Sequence, residues 1–201
     1  MLFREVLIAM MRAAGATVPE YVAGHSLGEY TALCAAGALS VGDAAKLLRA
    51  RGNAMQNAAP AGTGLTAVIL GMEIEDLRKI CETAGCDVAN DNSPGQVVIS
   101  GTRESVEAAM AIAKEQGAKR AMPLALSVPV HCRVQAPAAD VMRAALDSVE
   151  FKKPIVPIIL NKTCAPTTDI DEIKEALIYQ MTHGVRWRES AGRLLTGTIR
   201  L

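Results

Sequence analysis

The stretch Val22-Ala23-Gly24-His25-Ser26-Leu27-Gly28-Glu29-Tyr30 constrains this chain more than any other. It holds a Gly-x-Ser-x-Gly pattern at Gly24, Ser26 and Gly28. The apolar run Tyr21-Val22-Ala23 precedes it, and the helix formers Thr31-Ala32-Leu33-Cys34-Ala35-Ala36 follow. A buried strand, a sharp turn and a helix in that order make a nucleophile elbow, whose strained turn exposes the serine hydroxyl. Glycines at 24 and 28 are expected to let strand and helix pass close together. The start of the helix aims free N–H groups and a positive dipole end at whatever the serine attacks. A plain strand-turn-helix join capped by a serine shares the five-residue pattern, and it is the flanking strand and helix signals that favour the nucleophile.

A second feature lies one helix further on. Gly37-Ala38-Leu39 turns the chain and Ser40 is placed to cap the next helix. On that helix Ala44, Leu47, Leu48 and Met55 share one side, and Arg51 falls in the middle of the same stripe, while Arg49 points elsewhere. A guanidinium cannot shed its charge, so burying it in an apolar face is costly unless it is paired. A structural ion pair or an arginine that snorkels out to solvent meets that cost. So does a fork that waits for a carboxylate or phosphate and grips it bidentately.

The remaining elements follow from periodicity. Phe3, Val6, Leu7, Met10 and Ala14 share a helical face, and Arg4, Glu5 and Arg12 break any apolar run, so neither a signal peptide nor a membrane span is expected there. Residues 56–64 form a Gly/Pro/Ala-rich linker. Strands are expected over 65–70, 86–89, 96–100 and 119–126, and helices over 75–84 and 103–116. That β-α-β-β-α-β order is ferredoxin-like. Pro137 starts a further helix, and residues 171–181 form another, with a last helical stretch from Trp187. The apolar run 155–160 contains Pro157 and is expected to be an edge or broken strand.

Composition excludes several classes. Hydrophobic residues make up 50% of the chain and aromatic ones only 3%, so the core must be aliphatic. Basic and acidic residues balance at 21 each, which argues against a nucleic-acid or membrane-surface protein. The five cysteines, Cys34, Cys81, Cys86, Cys132 and Cys164, show no Cys-x-x-Cys, which fits reduced thiols in the cytoplasm and no metal site. A serine nucleophile needs a base, and the chain has three histidines. His25 adjoins Ser26, and neighbours on a strand or tight turn point apart. His131 and His183 both remain open on pattern alone.

Four segments resemble malonyl-CoA:acyl carrier protein transacylases: residues 24–30, residues 50–56, residues 90–101 and Ser127-Val128-Pro129-Val130-His131. They occur in the family's order and at near-family spacing, and the resemblance runs from Met1 to about Arg188. It implies Ser26 as the nucleophile that carries the malonyl ester and His131 as general base and acid. Arg51 would clamp the malonyl carboxylate, and the Leu27 N–H would be one oxyanion donor. The main-chain carbonyl of Gln180 would orient the histidine. His25, Met55, Asn90, Asn92 and Val128 would line the acyl pocket. The implied partners are malonyl-CoA and acyl carrier protein, whose phosphopantetheine thiol receives the acyl group. No cofactor or metal is implied.

Two departures from the family are visible. Its opening strand, ending in Gly-Gln-Gly-Ser-Gln, has no counterpart before Met1, and a strand before its last helix is missing where Arg188-Glu189-Ser190 runs into Ala191. The resemblance therefore implies a shortened family member, with self-association through open sheet edges as a further expectation. The expected fold is α/β: a reduced parallel-sheet, hydrolase-like acyltransferase subdomain over 1–60 and 128–201, with a ferredoxin-like subdomain inserted over 61–127. Malonyl transfer is the leading function. A serine hydrolase of small acyl esters and an inactive remnant that binds acyl carrier protein or another chain are the alternatives.

Overall fold

A computed structural model describes residues 19–196, so the helix expected over residues 3–14 lies outside the described residues. β1 (Val22–Ala23) leads through Ser26 into α1 (Gly28–Ala35), and α2 (Val41–Ala58) follows. The Ser40 hydroxyl accepts from the Asp43 N–H at 3.0 Å and satisfies one free donor at the start of α2. Next come β2 (Gly64–Leu70), α3 (Ile74–Ala84), β3 (Asp87–Ser93), β4 (Gln96–Thr102), α4 (Arg103–Glu115) and β5 (Arg120–Pro123). A 3-10 turn at Arg133–Gln135 leads into α5 (Ala136–Asp147). The described chain ends with β6 (Ile158–Ile159), β7 (Pro166–Thr167), α6 (Ile170–Thr182) and α7 (Trp187–Thr196). The fold is α/β, as the sequence predicts.

The larger core gathers α1, α2, α5 and α6 around Tyr30, Leu33, Leu47, Met142, Leu146 and Leu177, all fully buried. Truncating one such leucine to alanine costs about 2–5 kcal/mol. Against this core lies a short sheet of order β1-β6-β7. β1 runs parallel to β6, pairing Val22 with Ile158 and Ala23 with Ile159, whereas β7 is antiparallel to β6. The described sheet is therefore mixed rather than wholly parallel. β6 is short, as Pro157 predicts, but it is no edge strand, because it has partners on both sides. Pro157 stands just before β6, where its missing N–H costs the ladder nothing, and its carbonyl accepts from the Val22 N–H at 3.0 Å.

The second sheet has the order β3-β4-β2-β5 and is antiparallel throughout, with Ile69, Leu77, Ile99 and Val106 in its own core. Its order and connections are ferredoxin-like. β3 runs on to Ser93 instead of stopping at Ala89. The polar run 90–93 lies beyond the expected strand, yet both its edges are occupied. β4 pairs on one side, and on the other the Asp91 N–H donates to the Val185 carbonyl and the Val185 N–H to the Ala89 carbonyl, each at 2.9 Å. A Cβ on Gly184 would lie 2.3 Å from the Val88 oxygen, so only glycine allows this approach. β5 ends at Pro123 rather than Leu126, at a residue with no N–H to give the ladder. β3 also borders the elbow, with Asn92 Oδ1 2.9 Å from His25 Nε2. Among the described residues no helix is long and apolar enough to cross a membrane.

Candidate active site

The turn after β1 has the strain its pattern predicts. Ser26 has φ 53°, a left-handed conformation that non-glycine residues rarely adopt. A Cβ on Gly24 would lie 2.0 Å from the Gly28 carbonyl carbon, so glycine is required there for strand and helix to pass. Gly28 has open space around its would-be Cβ. The close approach thus belongs to Gly24 alone, not to both glycines as the sequence suggests. The Ser26 N–H donates to Asn161 Oδ1 at 2.8 Å, the Gly28 N–H to the His25 carbonyl at 2.9 Å and the Glu29 N–H to the Ser26 carbonyl at 3.0 Å. The Leu27 N–H, between them, makes no hydrogen bond among the described residues.

The structure brings Ser26 and His131 together across 105 residues of chain: Ser26 Oγ lies 2.7 Å from His131 Nε2. The other ring nitrogen, Nδ1, lies 2.5 Å from the Gln180 main-chain carbonyl. A carbonyl only accepts, so Nδ1 carries the proton and Nε2 is free to accept from the serine hydroxyl. His131 is 3% exposed. Burial, reinforced by the nearby Arg51 charge, pushes its pKa down to about 3 and keeps the ring neutral. Its backbone also has φ 53°, a conformation that costs about 1–3 kcal/mol and persists only where its surroundings impose it. The loop before it is held from both sides. The Val130 N–H donates to Ser100 Oγ at 2.9 Å, and Gln135 Nε2 donates to the Pro129 carbonyl at 2.7 Å. His183 lies elsewhere: it is exposed and stacks on Tyr179 at 3.7 Å.

Arg51 occupies the buried stripe of α2, together with Ala44, Leu47, Ala54 and Met55. Its Nη2 donates to Ser26 Oγ at 3.1 Å and to Gln180 Oε1 at 3.3 Å. Its Nε is buried without a partner. Arg51 enters no ion pair among the described residues, so neither a structural salt bridge nor a solvated head explains its burial. The His25 ring turns toward β3, where Nε2 lies 2.9 Å from Asn92 Oδ1 and 3.3 Å from Asn90 Nδ2, and it meets Trp187 edge-on at 5.4 Å. Met55 is one turn beyond Arg51 on α2, and Val128 packs against the same core.

Two residues here carry no role in the sequence reading. Asn161 follows β6, accepts from the Ser26 N–H, and donates through Nδ2 to the Gly24 carbonyl at 2.7 Å. A polar residue ending an apolar strand run was the available signal, since sites in open α/β sheets gather at strand carboxyl ends. Glu29 is 1% exposed. Its Oε1 accepts from the Asn161 N–H at 2.7 Å, and its Oε2 accepts from Gln180 Nε2. Burial raises its pKa to about 7, against the pull of those hydrogen bonds and of Arg51. An acid inside the elbow motif was visible in sequence, but nothing there shows that its side chain turns inward.

A serine on a strained strand-to-helix turn, hydrogen-bonded to an imidazole that a carbonyl orients, places this chain among α/β proteins with a nucleophile elbow. Comparison with known proteins narrows that class. The family model described as "Acyl transferase domain" matches residues 3–192, and the chain belongs to that family. It is 43% identical over 188 residues to the malonyl CoA-acyl carrier protein transacylase of Escherichia coli (strain K12), a match covering 92% of this chain and 61% of the relative. It is 46% identical over 182 residues to the Bacillus subtilis (strain 168) protein of the same name, covering 88% and 57%. Among solved structures, an acyl-carrier-protein-S-malonyltransferase from Bartonella henselae superimposes with a TM-score of 0.92 at 44% identity, covering 96% of this chain and 63% of that one. A malonyl-transacylase solved in complex with its type II PKS acyl-carrier protein gives 0.91 at 40%, covering 94% and 62%. The chain thus spans under two thirds of the length of these relatives.

Proposed function

We propose that this chain carries the centre for malonyl transfer from malonyl-CoA to the phosphopantetheine thiol of acyl carrier protein, in fatty acid synthesis. The observation that carries the reading is one oxygen with two partners. Ser26 Oγ lies 2.7 Å from a neutral imidazole and 3.1 Å from a guanidinium that has no carboxylate of its own. An imidazole makes the serine a nucleophile, and an unpaired guanidinium beside it selects an acyl group that ends in a carboxylate.

In the proposed cycle Ser26 Oγ attacks the thioester carbonyl carbon and its proton passes to His131 Nε2. The developing oxyanion takes a hydrogen bond from the Leu27 N–H. The C–S bond breaks, and His131 returns the proton to the departing coenzyme A thiolate. The carrier thiol then gives its proton to His131 and attacks the malonyl-serine ester, and the same proton restores the serine hydroxyl. The thioester is already activated, so the proposed chemistry calls on no cofactor or metal. Arg51 grips the malonyl carboxylate, and His25, Met55, Asn90, Asn92 and Val128 border the acyl group. The two separate hydrophobic cores support placing the boundaries of the smaller subdomain at 61–127. The five free thiols support a cytoplasmic setting.

The test is mass spectrometry of the carrier. With the chain, malonyl-CoA and phosphopantetheinylated acyl carrier protein together, the carrier gains a malonyl group, and Ser26→Ala prevents it. Free malonate with an unmodified carrier would instead make the chain a thioester hydrolase.

A further inference from the structure

A buried acid lies beneath the nucleophile. Glu29 follows Ser26 by three residues, so the first turn of α1 carries it under the elbow, where its carboxylate is out of contact with water. A buried carboxylate without full hydrogen bonding costs several kcal/mol, and this one is held by two donors, one on each oxygen. Both donors belong to residues that touch the site. Asn161 binds the Ser26 N–H, and the Gln180 main chain binds His131. The Gln180 side chain bridges to Arg51, its Oε1 accepting from Nη2 at 3.3 Å.

We propose that Glu29 is a positioning residue for carboxylate recognition: by accepting from the Gln180 NH2 it fixes the polarity of that amide, so that the amide oxygen faces Arg51 and aims the guanidinium. The amide has two ends of opposite character. While Glu29 holds the NH2, the oxygen must face the guanidinium, and the chain carboxylate–amide–guanidinium runs acceptor to donor without conflict. Reversing the amide would set two donors against each other at Arg51. In its ionised form Glu29 is also the counter-charge of Arg51 at one remove, with the Gln180 amide between them. It balances the buried cation without occupying the edge of the fork that a substrate carboxylate needs. A carboxylate in direct contact with Arg51 would compete for that edge. The inference rests on reading Arg51 as a carboxylate fork, and not on the identity of the thioester.

The test uses two phosphonylating probes of Ser26, a neutral alkyl fluorophosphonate and one with a carboxylate on its alkyl arm. Both need the Ser26–His131 pair, and only the second needs Arg51 correctly aimed. The wild-type chain is expected to react with the carboxylate probe faster than with the neutral one by roughly tenfold or more. The Glu29→Gln side chain can still accept from the Asn161 N–H, but it presents an NH2 to the Gln180 NH2 and drives that amide to turn over. The carboxylate preference then falls about tenfold while the neutral rate stays within about threefold. Gln180→Met removes the bridging amide, so its ratio of carboxylate to neutral rates falls in the same way whatever happens to the neutral rate itself, and it serves where Glu29→Gln does not fold. Equal rates for both probes in the wild type, an unchanged preference in the folded variants, or an equal fall in both rates would overturn the inference. Probe preference in a chain that takes no malonyl group from malonyl-CoA would remove the proposed substrate and leave the role of Glu29 standing.

Discussion

Arg51 Nη2 donates to Ser26 Oγ at 3.1 Å, so the guanidinium that would grip a substrate carboxylate is hydrogen-bonded to the nucleophile itself. A carboxylate delivered to Ser26 therefore meets a cation already in place. An acyl group without one leaves a buried guanidinium unpaired beside it. Arg51→Ala is expected to weaken malonyl acylation of Ser26 by about 2–5 kcal/mol of transition-state binding and to leave acetyl acylation equal or improved. Competition between malonyl-CoA and acetyl-CoA, read as the ratio of the two adducts, checks this. An unchanged ratio would reduce Arg51 to a structural group.

The elbow gives a contrast between two glycines of one motif. A methyl group on Gly24 meets the Gly28 carbonyl carbon at 2.0 Å, whereas one on Gly28 meets nothing within 4 Å. Gly24→Ala is expected to destabilise the fold by several kcal/mol, because the nearest atoms are backbone and cannot swing away, at about the cost of a badly overpacked core. Gly28→Ala should change stability by less than about 1 kcal/mol, since alanine also favours a helix start over glycine. Urea melts of the two variants decide between this account and one in which both positions are equally tight.

What was legible in the sequence follows the range of the interactions. The elbow lies within Gly24 to Gly28 and the arginine stripe within Ala44 to Met55 of one helix, so both are local patterns, and both hold at Ser26 and Arg51. The β-α-β-β-α-β unit was readable because its alternation of periods lies within one continuous stretch. The base was not. His131 and His183 look alike as isolated histidines, and only the folded chain sets one of them 2.7 Å from Ser26 and the other on an exposed helix end beside Tyr179. The resemblance chose His131 where pattern could not. Asn161 and Glu29 stayed silent for the same reason, because their partners lie 135 and 151 residues away, at Ser26 and Gln180. The polar end of β3 was not legible, because its second edge is covered by residues 184–185, far along the chain.

Two buried groups make stability depend on pH in opposite directions. The His131 pKa falls from an ordinary 6.5 to about 3 on folding, so the unfolded chain binds its proton first. Stability from this group is present above about pH 6.5 and is lost as pH falls toward 3. The Glu29 pKa rises from 4.5 to about 7, so the folded chain holds that proton longer. Its contribution is present below about pH 4.5 and is lost as pH rises through 7. Each effect is on the order of a few kcal/mol. The two cancel between about pH 4.5 and 6.5, so urea denaturation should show Glu29→Gln turning a flat stretch there into a rise and removing the fall toward pH 7, while the acid limb set by His131 below pH 4.5 stays. Identical pH profiles for wild type and variant would contradict the assignment.

The central claim is that Ser26 is a malonyl-accepting nucleophile served by His131, and the most direct measurement is the intact mass of the chain after incubation with malonyl-CoA alone. One malonyl adduct is predicted, mapped to Ser26 by peptide fragmentation and absent from Ser26→Ala. His131→Ala should slow its formation by at least ~10², and His183→Ala should leave it unchanged. A correctly folded chain that takes no adduct, an adduct mapped to another residue, or acylation slowed by His183→Ala but not by His131→Ala would contradict the account.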